Sequence, residues 1–297
     1  MPSSALEDAL SESLGSGRQI QLVCIKNAFD VVRSRVPPHG ETVMVRTGIS
    51  EVRPVSGEIF TLEVERTWVF GSTRYAKGLI TDSRLEADRL QLEPLAMSPV
   101  GLWDPEEHRW LFDELGDDAF YEEIQGAGAR PQYEMEQVLP EDVVQLRWEE
   151  DPILEAVELA NSGAIEEAEA LLGSLLIADL RCLDAHAHLG HFELRQGWPG
   201  AVERAARHYR AGCEIAGLGT ARGFDGLLPW GLLDNRPYLR CLHGLGLCLW
   251  RCSDTDGAKQ IFRRMLWLNP YDNQGARFLL DAIEKGLSWE GFTESET

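Results

Sequence analysis

The chain has 297 residues, 44% of them hydrophobic, which is enough material for two cores and excludes a wholly disordered chain. Its formal charge of −21 is unevenly shared: residues 1–150 carry 28 Asp and Glu against 14 Lys and Arg, and residues 151–297 carry 21 against 14. A surface this acidic repels a phosphate backbone, so nucleic acid is excluded as the default partner.

Residues 1–17, MPSSALEDALSESLGSG, lack the basic and apolar regions of a signal peptide and read as a flexible tail. No window reaches the roughly 18 apolar residues of a membrane span, so no membrane association is expected. The cysteines are Cys24, Cys182, Cys213, Cys241, Cys248 and Cys252. Five of them fall in apolar helical segments rather than in an evenly spaced loop framework, which suits reduced thiols and a cytoplasmic location.

Residues 18–125 read as a β-rich α+β domain. The segments ETVMVRTG (41–48), GEIFTLEVERTWVF (57–70) and TRYAKGLITDS (73–83) alternate apolar and polar residues and are rich in Val, Ile, Thr and aromatics. They predict strands of a small antiparallel sheet or partly open barrel, with Phe60, Leu62, Val64 and Trp68 on one face. QIQLVCIKNAFDVVRSRV (19–36) is apolar enough for a helix on that sheet, although its Val and Ile content also suits a strand. DPEEHRWLFDELGDDAFYEEI (104–124) predicts one or two short helices opening at Asp104-Pro105. Residues 126–150 read as an acidic linker.

From residue 151 the period becomes 3.6. DPILEAVELANSGAIEEAEALLGSLLIADL (151–180) places Ala156, Gly163, Ala168 and Leu172 as two helices about a turn. Residues 185–217 repeat the pattern with Leu189, Gly190, Gly197, Ala205 and Tyr209, and residues 238–270 repeat it with Gly246, Ala258, Phe262 and Pro270. Two helices approach closely only where Gly or Ala removes bulk, and Phe262 then fills the gap. Asn269-Pro270 stops the last helix. Asp272 and Asn273 follow where an N-cap for a terminal helix, 271–286, belongs. Residues 217–237 form an apolar insert with Phe224, Leu227, Leu228, Pro229, Trp230 and Leu232, after which Asp234 or Asn235 is placed to cap the next helix.

These intervals resemble the tetratricopeptide repeat (TPR), and the chain is similar to bacterial TPR-containing proteins. The resemblance covers about half the chain and implies an all-α solenoid of about three helix pairs and a capping helix over 151–290, with a short tail at 291–297. The fold expected is therefore multidomain α+β, a β-rich domain followed by a TPR-like solenoid.

No motif argues for catalysis or a cofactor. GLGTARG lacks the Lys-Ser/Thr ending of a phosphate loop, and there is no G-x-S-x-G elbow. His186, His188 and His191 lie close in sequence, but on a helix His186 faces away from the other two, so three metal ligands do not converge. Cys248 and Cys252, with Cys241 and His243 nearby, lack a C-x-x-C pair and read as small buried hydrophobes.

The resemblance implies a concave groove lined by the first helix of each pair. The exposed positions on that face include Asn161, His191, Arg195, Arg240, His243 and Arg251, with Arg277 on the terminal helix. Arg offers a rigid fork of donors that matches carboxylates. The expected activity is that of a non-catalytic adaptor holding an acidic or C-terminal peptide segment of a protein partner. An alternative is that these arginines pair with the chain's own acidic half. A second is an enzyme or small-molecule sensor whose site lies between the domains and uses Asp234, Asn235 and Arg236 with His243.

Overall fold

The computed structural model describes residues 18–28, 31–48, 52–111, 119–140, 151–220 and 223–295. The tail read at 1–17 and the acidic stretch 141–150 lie outside the described residues. The fold is mixed α and β. Its two compact units are each built from two segments of chain: residues 1–93 with 139–185, and residues 94–138 with 186–297. This division differs from the barrel, linker and solenoid order read in the sequence.

Unit 1 contains a closed barrel of five strands: β1 (Gln19–Ala28), β2 (Val31–Arg35), β3 (Thr42–Thr47), β4 (Ile59–Phe70) and β5 (Thr73–Arg84), in the order β1-β2-β3-β5-β4. The helix considered for 19–36 is instead the β1–β2 pair. Its continuous apolar run misleads because a bulge between Cys24 and Lys26 interrupts the alternation. All neighbours pair antiparallel except β3 and β5, which run parallel, so the expected all-antiparallel sheet is corrected at that seam.

Leu22, Cys24, Val32, Val43, Val45, Phe60, Leu62, Ala76 and Ile80 fill the barrel. Val64 packs against them, whereas Trp68 stacks on Tyr75 with centroids 5.2 Å apart. Gly78 is dictated by the β4 bulge: a Cβ there would collide with the main-chain oxygen of Glu63. Buried Glu58 braces the barrel, accepting from Val55 N at 2.9 Å and Ser83 Oγ at 2.7 Å.

The helix α1 (Ala119–Gly126) belongs to unit 2; unit 1 has α2 (Pro152–Asn161) and α3 (Ile165–Ala178). Asp151 caps α2 by accepting from Ile153 N at 2.8 Å, with Pro152 in the first turn, where a missing N–H costs nothing. The pair packs on itself around Ala156, Ala168 and Leu172, and α3 lies against β1, where Gly173 meets the Lys26 side chain.

Unit 2 holds β6 (Met97–Trp103) and β7 (Arg130–Met135), paired antiparallel. Residues 130–135, read as linker, are thus a strand. Four packed helices follow: α4 (Leu183–Gln196), whose first residues belong to unit 1, α5 (Ala201–Gly219), α6 (Arg236–Arg251) and α7 (Thr255–Leu268). Then come α8 (Ala276–Glu284) and α9 (Trp289–Ser295), so most of the tail read at 291–297 is helical.

The helix pairs start and stop where the sequence indicates. Asp254 caps α7 through Gly257 N at 3.0 Å, and Phe262 of α7 rests where Gly246 of α6 has no Cβ. The apolar insert is stitched in rather than displayed: Leu227 and Leu228 are buried, Tyr133 N donates to Leu227 O at 2.9 Å, and Leu228 N donates to Leu268 O at 2.8 Å. Among the described residues no helix is long and apolar enough to cross a membrane.

Candidate functional site

The polar cluster after Asn269-Pro270 is structural. The Asp272 carboxylate accepts from Ala276 N at 2.6 Å and Arg277 N at 3.2 Å, so it caps α8. Burial raises its pKa against the lowering effect of those N–H donors. Asn269 is buried, accepts from Trp230 N at 3.2 Å and donates to Asn273 Oδ1 at 3.2 Å.

Asn235 is likewise committed to the fold. It is fully buried; Oδ1 accepts from Met135 N at 2.8 Å, and Nδ2 donates to Tyr133 O at 3.0 Å and Pro229 O at 3.1 Å. One side-chain amide thereby joins β7, the insert and the start of α6, and it makes no capping bond to α6. Arg236 donates to Trp230 O at 3.0 Å and lies over the Trp230 ring. Asp234 is half-buried. Of the residues proposed for a polar site, Asn235 has its amide saturated within unit 2.

The groove residues separate into groups. His191, Arg240 and His243 line one pocket of about 420 Å³ in unit 2, with His188, Tyr209, Gln274, Ala187, Leu194, Gly244 and Leu247. The helical period explains the convergence. Ala187, His188, His191 and Leu194 recur at three- and four-residue intervals on α4, as do Arg240, His243, Gly244 and Leu247 on α6. His186 falls on another face of α4; it is buried, with its ring centroid 6.5 Å from that of His208.

Tyr209 of α5 forms the floor, its ring lying against two glycines. A Cβ on Gly244 would overlap the ring, and one on Gly190 would lie 2.9 Å from it. The absent side chains let three helices close on one aromatic ring. Burial raises the Tyr209 pKa, so its hydroxyl stays protonated.

Arg240 lies 5.9 Å from the centroid of Trp230, a cation–π contact that orients its guanidinium. Burial lowers the pKa of His243, and burial followed by the charge of Arg195 lowers that of His191. Both shifts favour the neutral imidazole. Among the described residues the pocket lining contains an arginine, three histidines and a glutamine but no Asp or Glu, in a chain with 49 acidic residues.

The other groove candidates lie elsewhere. Arg251 covers the Trp289 ring at 5.4 Å, and Trp289 packs edge-on against Trp250. Arg277 lies 4.5 Å over Phe278, with Nε 3.9 Å from Asp272. Arg195 is exposed in the last turn of α4, and Asn161 ends α2 in unit 1. Tyr209 and Gln274 were not among the site candidates; their signal was present only as a repeat anchor and as part of the capping cluster.

Burial pushes the thiols of Cys182 and Cys248 up to about 12, which makes them poor nucleophiles. Among the described residues no three His, Cys, Asp or Glu side chains are grouped to hold a metal ion. In comparisons with known proteins, no family model matches the chain and no curated protein matches it.

Proposed function

We propose that the chain is a non-catalytic, TPR-like adaptor whose unit 2 pocket receives the C-terminal end of a protein partner, with Arg240 taking the terminal carboxylate. The observation that carries this reading is a polar lining of Arg240, three histidines and Gln274, with no acidic side chain among the described residues, set beside an apolar wall of Ala187, Leu194 and Leu247. The Arg240 fork matches a carboxylate in two parallel hydrogen bonds. In the neutral form His191 and His243 each supply one further N–H, and the apolar wall accepts the last side chain. A pocket of about 420 Å³ holds one or two residues rather than a long segment.

The overall charge of −21 sharpens the choice between the two expected ligand types. A run of Asp and Glu would be repelled on approach, whereas a single terminal carboxylate on a neutral or basic tail would not. The C-terminal peptide is therefore preferred over the acidic segment. The helix pairs α4–α5 and α6–α7, with Gly190 against Tyr209 and Gly246 against Phe262, support the TPR-like reading.

A display library of peptides with free C-termini tests the proposal. Selection on the wild-type chain should enrich a consensus in the last two positions that disappears with Arg240→Gln. Enrichment of internal motifs, or the same consensus from the variant, contradicts it.

A further inference from the structure

A second pocket, of about 210 Å³, lies within unit 1 and shares no residue with the first. Its wall includes Arg35 at the end of β2, His39, the turn at Gln91–Glu93 and the end of α3 through Arg181. Two guanidinium nitrogens of Arg35, Nε and Nη2, are buried without a hydrogen-bond acceptor among the described residues. A buried arginine donor without an acceptor is costly, and a protein retains one chiefly where something else supplies the acceptor.

The natural internal acceptor, Asp179, is already occupied. Arg181 holds it by Nε at 3.2 Å and 3.1 Å from the two oxygens and by Nη2 at 2.8 Å, and the Arg181 main-chain N–H donates to Oδ1 at 2.8 Å. Asp179 therefore acts on Arg35 only as a nearby charge that raises its pKa, against the larger lowering by burial.

We propose that this pocket binds a small oxyanion, a phosphate or carboxylate group, with Arg35 as its main donor and His39 on the same pocket wall. The cavity is below the usual size for a drug-like ligand, so the anion is a small metabolite or the end group of a flexible one. Leu176, Ile177 and Leu180 form the rest of the wall, so a ligand that carries a short apolar portion fits best. The site lies where the end of α3 meets the barrel strand β2, and occupancy would fasten the helix pair to the barrel.

Isothermal titration of the full chain with inorganic phosphate, acetate and malonate, in separate arms, tests the site. At least one arm should give a saturable heat, and the arm that saturates at the lowest concentration identifies the source of the oxyanion. Arg35→Gln and the charge-preserving Arg35→Lys should each weaken binding by about ten-fold or more, because Lys lacks the planar fork. The peptide pocket proposed above also offers an arginine to a carboxylate, so a saturable heat that is lost with Arg240→Gln but kept with Arg35→Gln overturns the proposal. No saturable heat in any arm, or equal affinity in wild type and both Arg35 variants, overturns the proposal. Circular dichroism confirms that the barrel is retained in each variant.

Discussion

The guanidinium carbon of Arg130 lies 4.1 Å from the centroid of the Trp267 ring, and its Nη2 donates to the Trp267 main-chain oxygen at 2.9 Å. Trp103 lies on it too, 5.7 Å away, so a residue from β7 is gripped by aromatics from β6 and α7. Burial lowers its pKa to about 10, opposed by Asp225 and reinforced by Arg264, and the side chain remains charged at neutral pH. Arg130→Ala should destabilise unit 2 by about 2–4 kcal/mol, through the lost cation–π and carbonyl contacts. Asp225 is mostly exposed, and Asp225→Asn should change stability by less than about 1 kcal/mol. Urea denaturation followed by tryptophan fluorescence distinguishes the two.

Asn235 makes a sharper test of a buried amide. Asn235→Asp is nearly isosteric, yet a carboxylate cannot donate to Tyr133 O and Pro229 O. We expect a loss of about 2–4 kcal/mol at pH 7, partly recovered at low pH as the acid protonates and regains one donor. Equal stability of variant and wild type would mean the amide is not the fastening it resembles.

Gly244 and Tyr209 form a steric pair. Gly244→Ala must displace the Tyr209 ring, at a cost of about 1–3 kcal/mol, and should also reduce the pocket that both residues line. Tyr209→Leu in the same chain should restore part of the stability without restoring the pocket. Thermal melts read the first effect and peptide titration the second.

Two histidine effects have the same origin but separate readouts. His208 is buried beside Arg204, His186 and Arg207, and burial, then those charges, hold its pKa well below the histidine value of 6.5. Its unfolded form takes up a proton first, so its contribution to stability is complete above about pH 6.5 and falls as pH drops below it. His208→Asn should flatten the decline in melting temperature between about pH 7 and 5.5. In the pocket proposed to take a peptide the sign concerns binding. A carboxylate arriving beside His191 and His243 raises their lowered pKa values, so affinity should rise several-fold from about pH 7.5 to 6, and His243→Gln should reduce that slope.

The helix pairs were legible because small residues at fixed intervals have one packing use, seen where Gly246 receives Phe262 and Gly190 receives Tyr209. The strand β7 was not, because RPQYEM is polar and its place depends on Leu227 and Asn235, about a hundred residues away. The β1–β2 pair was ambiguous because its bulge breaks the alternation on which strand patterns rest. Within the site, His191, Arg240 and His243 could be read from helical spacing. Arg251 and Arg277 carry the same spacing signal, but Trp289 and Phe278 engage them, and neither contact follows from the period of a single helix.

The most direct test of the central claim is a fluorescence anisotropy titration of one selected peptide in two forms, with a free C-terminal carboxylate and as its amide. The account predicts that amidation weakens binding to the wild-type chain by about ten-fold or more, and that Arg240→Gln binds both forms equally weakly. If the amide binds wild type as tightly as the acid, Arg240 does not read a terminal carboxylate, and the proposed role of the pocket is contradicted.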